Sequence, residues 1–80
     1  MPIVYNLVNP KEIGAPAVKA IVRWTTIRDD GSFDAMVIWY DAADTAVGNW
    51  QNTAQLTPEQ LDTIMRIIVP IAVGEPGTVE

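Results

Sequence analysis

The chain has 80 residues, with ten Asp and Glu against five Lys and Arg, no Cys, no His, and 49% hydrophobic residues. One domain, residues 1–80, is all that this length accommodates, and without Cys or His there is no disulfide, thiol nucleophile, imidazole base or Cys/His metal site. The net charge of −5 is spread over single acids and pairs with no basic run, which argues against direct nucleic-acid binding, because phosphate contacts need clustered cations.

Met1-Pro2-Ile3-Val4-Tyr5 lacks the charged start and apolar run of a signal peptide, and no apolar stretch reaches the roughly 18 residues of a membrane span. The expectation is a protein kept in the cytoplasm of the producing cell, or built into a virion, with no membrane partner. Pro2 to Val8 has strand composition, with Ile3, Tyr5 and Leu7 alternating with Val4, Asn6 and Val8. Pro2 suits the first position of an edge strand, where a missing N–H costs nothing. Asn9-Pro10 stops that strand, and Asn9 to Pro16 is expected as a loop. Residues 1–16 are thus a strand or arm with its loop. Those eight loop residues suffice either for a turn of helix around Lys11-Glu12 or for an arm that reaches a neighbouring subunit.

Two runs rich in β-branched and aromatic residues follow, at about 17–28 and 33–41, joined by Arg28-Asp29-Asp30-Gly31-Ser32. They predict a β-hairpin. Asp29-Asp30-Gly31 matches a type I turn whose next residue takes φ > 0. That turn pairs Arg28 with Ser32, Trp24 with Met36, Ile21 with Trp39 and Lys19 with Asp41, whereas a tighter Asp30-Gly31 turn sets Trp24 opposite Val37. The first register is preferred because it opposes Lys19 and Asp41. One face then carries Val18, Ala20, Val22, Trp24, Met36, Ile38 and Tyr40 and is the expected core. The other carries Ile21, Ile27, Phe33, Ala35, Val37 and Trp39 with Lys19, Arg23 and Thr25, which is more apolar than the solvated face of an antiparallel sheet.

Asp41 to Gln55 is small and polar and is expected as a long connector, with a helical turn at Ala42 to Val47 as one option and Trp50 as the residue that anchors it to the hairpin. Thr57-Pro58-Glu59-Gln60 then supplies an N-cap, a proline at the first helical position, an acid in the first turn and the glutamine of a capping box. Leu61, Ile64, Met65 and Ile68 recur at helical spacing, so a helix over about 58–69 is expected to lay this stripe on one face of the sheet and to end before Pro70. Residues 74–80 are expected as a flexible tail.

No nucleophile, phosphate loop or dinucleotide motif is present. Asp29, Asp30 and Asp34, and Asp41 and Asp44, lack a calcium-loop pattern and are explained by turn chemistry. No enzyme activity, cofactor or metal is expected. The sequence therefore predicts an α+β domain: a small antiparallel sheet built on the central hairpin plus an N-terminal strand, with one C-terminal helix packed on it. Its surplus apolar surface suggests a non-enzymatic assembly protein that docks on copies of itself or on a larger complex, for which a bacteriophage virion is one setting. Ile21, Arg23, Ile27, Phe33, Val37, Trp39 and Trp50 are the interface candidates, with Arg23 placed either to stack on Trp39 or Phe33 or pair with a partner's acid, or to snorkel at the sheet edge. The alternative is a small acidic inhibitor that blocks a host enzyme or defence complex through Asp29, Asp30 and Asp34.

Overall fold

A computed structural model of the chain describes residues 3–80. Four strands, β1 (Val4–Glu12), β2 (Pro16–Ile27), β3 (Ser32–Tyr40) and β4 (Ala46–Gln55), pair antiparallel in chain order as one sheet, and a single helix, α1 (Pro58–Val73), follows. The fold class is the α+β arrangement that the sequence indicates, with one strand more than expected. The expectation for Pro2 lies outside the described residues.

β1 does not end at Val8. Asn6 pairs with Lys19, the residues from Leu7 to Pro10 bulge opposite Val18 alone, and pairing resumes at Lys11↔Ala17 and Glu12↔Pro16. Proline lacks the N–H that a ladder requires, so Pro10 sits in the unpaired bulge. The expected loop shrinks to residues 13–15, and Lys11-Glu12 is strand rather than a turn of helix.

The hairpin turn forms as its residues dictate. Arg28 N–H donates to Ser32 O and Gly31 N–H to Arg28 O, each at 2.9 Å, with Gly31 at φ 86°. The preferred register holds from Ile27↔Phe33 to Trp24↔Met36. Arg23 then has no partner, and beyond this bulge every pair is displaced by one: Val22↔Val37, Ile21↔Ile38, Ala20↔Trp39, Lys19↔Tyr40. Such a slip moves side chains to the opposite face. Ala20 and Val22 join Val37 and Trp39, while Ile21 and Lys19 join Met36, Ile38 and Tyr40. The expected core face is corrected accordingly: Ala17, Ala20, Ala35, Val37 and Trp39 are the buried residues, and Trp24 is exposed. Lys19 bonds Asp44 instead of Asp41.

Gly31 is fixed by space as well as by φ. A Cβ there would lie 2.9 Å from Gln55 Nε2 and 3.1 Å from the Leu56 carbonyl oxygen. Gly31→Ala is therefore expected to destabilise the fold by about 1–3 kcal/mol, read as a lower urea midpoint with an unchanged slope.

Only residues 41–45 of the expected connector form a turn. Asp41 Oδ1 accepts the Ala43 and Thr45 N–H groups at 2.9 Å each, and the chain then enters β4. Gly48, Trp50, Asn52 and Ala54 oppose Trp39, Val37, Ala35 and Phe33, while Asn49, Gln51 and Thr53 oppose Ile38, Met36 and Asp34 on the other face. Trp50 does pack on the hairpin, with its ring centroid 5.5 Å from that of Trp39 and the planes tilted by 40°. It does so from a strand.

α1 begins as its cap chemistry requires: Gln60 N–H donates to Thr57 Oγ1 at 3.2 Å and Thr57 N–H to Gln60 Oε1 at 3.0 Å. It continues through Pro70 to Val73 and stops at Gly74, which takes φ 75° and donates its N–H to Pro70 O. A proline inside a helix forfeits one bond, yet Ile71 and Val73 follow it in the same helix, and the left-handed glycine makes the stop. No residue of α1 is buried. The helix does not lie across the strands; Leu56 and Thr57 join it to β4, and Leu56 N–H is bonded to Gly31 O at 2.9 Å. This ties its start to the hairpin turn, where Leu61, Ile64 and Met65 are half-buried.

Candidate functional site

Two apolar surfaces stand open. The first is on the core side of the sheet. One end of that side is covered by the chain itself: Ile13 Cδ1 comes within 3.2 Å of where a Cβ on Gly48 would be, and Lys11 Nζ lies 5.5 Å from the Trp39 ring centroid and 5.9 Å from that of Trp50. The absence of a side chain at Gly48 lets this cover close. Away from it, Ile3, Tyr5, Leu7, Val22, Trp39 and Asn52 are among the residues that line an apolar groove of about 610 Å³. Ile3, Tyr5 and Val22 are exposed, Ile3 at 86%. Beneath them Trp39 Nε1 is buried without a hydrogen-bond acceptor among the described residues.

The second surface is the free length of α1. Ile67, Ile68, Val69, Ile71 and Val73 are all exposed, Ile71 at 76%. Past Gly74 the chain turns back, so that Val79 lines a shallow cleft with Val69, Pro70 and Val73.

The interface candidates named from sequence divide between these environments. Val37 and Trp39 are buried and form the floor of the core side. Phe33 and Trp50 are half-buried against them, as is Ile27 near the turn. Ile21 faces the opposite side, where it lines a small pocket with Val4 and Tyr40. Arg23 is exposed in the bulge, and the cation over the tryptophans is Lys11 rather than Arg23. The groove residues Ile3, Tyr5 and Val22 and the helix residues Ile67 and Ile71 were not among the candidates. The alternation of Ile3, Tyr5 and Leu7 was the available signal for the groove, and the continuation of apolar residues past Pro70 was the signal for the helix.

The carboxylates have local employment. Asp34 accepts from Arg28 at 3.0 and 3.3 Å and from the Thr53 hydroxyl at 2.8 Å. Asp30 Oδ1 accepts the Ser32 hydroxyl at 2.6 Å and the Ser32 N–H at 2.9 Å. These bonds, the hydroxyl's foremost, together with the nearby Arg28 charge, hold the Asp30 carboxyl below the ordinary value of 3.8. A carboxyl lowered on folding contributes stability that is present above its unfolded pKa and is lost as pH falls through the folded one. Ser32→Ala is expected to move the Asp30 midpoint up toward 3.8 in a carboxyl-carbon NMR titration, and an unmoved midpoint would contradict this assignment. Among the described residues no group of three or more Asp and Glu gathers at a metal-binding spacing, and no helix is long and apolar enough to cross a membrane.

No family model matches the chain, and comparison with curated proteins and with solved structures gives no match.

Proposed function

We propose that this chain is a non-enzymatic structural subunit that works by assembling with copies of itself. The observation that carries this reading is its surface. A compact protein of 8.8 kDa exposes about 4,800 Å², and this chain exposes 6085 Å². Its radius of gyration is 15.8 Å, where about 12 Å suits a compact domain of this length. The surface exceeds the compact value by roughly 1,300 Å², and large apolar side chains such as Ile3, Val8, Ile71 and Val73 are among those exposed, which monomeric proteins seldom leave in contiguous patches. An acidic inhibitor is the weaker reading, because two of the three acids it would use, Asp30 and Asp34, already serve the hairpin.

Native mass by light scattering tests the proposal. A defined multiple of the chain mass at micromolar concentration is expected, and a monomer at every concentration would overturn it.

A further inference from the structure

We infer that the occupant of the groove over Ile3, Tyr5, Val22 and Trp39 is helix α1 of a second copy, given and received reciprocally. The inference rests on the assembly reading above and names its partner surface.

The chain's own helix does not lie over the groove: none of its residues lines it. Only Leu56 and Thr57 separate β4 from α1, and Leu56 is held to the hairpin turn, its N–H donating to Gly31 O at 2.9 Å. Gln55 Nε2 adds a bond to Asp30 O at 2.8 Å. Folding α1 back over the sheet would break this junction at the point where the hairpin turn, β4 and the helix cap meet. A second copy meets no such obstacle.

The two surfaces match in size and kind. At about 1.5 Å per residue the 16 residues of α1 span roughly 24 Å, within the roughly 30 Å that strands of 9 to 12 residues cover. The groove is lined almost wholly by apolar side chains, and the helix offers Ile64, Ile68 and Ile71 at i, i+4 and i+7, the spacing with which an amphipathic helix enters a groove. Charge agrees in sign. Arg23 on the sheet, and Glu59 at the start of α1 and Glu75 just past its end, form no ion pair among the described residues.

The area closes as well. Each copy carries both a groove and a free helix, so the exchange is satisfied by a two-fold axis and leaves neither surface open. Were association to bury the excess of both copies, it would remove roughly 2,600 Å², inside the range of about 2,000–5,000 Å² typical of obligate homodimers.

The test is isotope-filtered NMR on an equimolar mixture of labelled and unlabelled full-length chains, with the mass measured on the same sample. Intermolecular cross-peaks from the Ile64, Ile68 and Ile71 methyls to Tyr5, Val22 or Trp39 are expected, together with their loss on dilution to monomer. A multimer whose intermolecular contacts join helix to helix, or β4 edge to β4 edge, overturns the inference and leaves the assembly reading standing. A monomer by mass, with no intermolecular cross-peaks, overturns both.

Discussion

Replacing Ile68 and Ile71 together with glutamate is expected to turn the assembly into a folded monomer. Both side chains are exposed in the single chain, so the substitutions remove little that holds one copy together, and isoleucine and glutamate differ only by tenths of a kcal/mol in helix propensity. In the proposed dimer each isoleucine would be covered, and burying such a side chain contributes about 1.5–3 kcal/mol. A reciprocal dimer contains both helices, so the double substitution removes four such contributions and weakens association by roughly 10⁴ to 10⁸-fold, before the added cost of placing carboxylates against an apolar floor. Sedimentation of the double variant should give the single-chain mass with an unchanged far-UV spectrum. Retention of the parent mass would show that this part of the helix takes no part in association.

The second large effect is at Trp39, which packs in the core of each copy and also lines the groove. Trp39 is the largest buried side chain, packed on Trp50 and beneath Lys11. Trp39→Ala is expected to cost about 3–5 kcal/mol, a large share of the roughly 5–15 kcal/mol that holds a typical domain. In a core this small that change should leave much of the chain unfolded at room temperature. Trp39→Phe is expected to cost far less, because Nε1 has no acceptor to lose among the described residues and the phenyl ring keeps contact with Trp50. Urea titrations followed by far-UV circular dichroism separate the two. A Trp39→Ala midpoint close to that of the parent would mean that stability resides elsewhere.

The parts of the fold that could be read from the sequence are those written in local chemistry. Asp29-Asp30-Gly31 specifies its turn through the positive φ that glycine tolerates, and Thr57-Pro58-Glu59-Gln60 specifies a helix start through two reciprocal bonds. β4 was hidden because it is poor in β-branched residues: its alternation of Gly48, Trp50, Asn52 and Ala54 against Asn49, Gln51, Thr53 and Gln55 sets small and amide side chains on both sides. Strand formation there is decided by the free edge of β3, which is a tertiary fact. The bulge at Arg23 is likewise invisible locally, yet it exchanges the faces of half of β2 and so moves the core from Trp24 and Tyr40 to Val37 and Trp39. The surplus of apolar surface was legible, but its place was not. An amphipathic helix announces that it must be covered, and its sequence does not say whose sheet covers it.

Amide hydrogen exchange along α1 at two protein concentrations addresses the central claim most directly, because it reads the cover over the helix itself. The amides from Ile67 to Val73, whose side chains are exposed in the single chain, are expected to exchange quickly in dilute solution and to slow markedly in concentrated solution if copies pair over them. Equal and slow exchange at both concentrations would mean that the helix is already covered within one chain, and would contradict that claim.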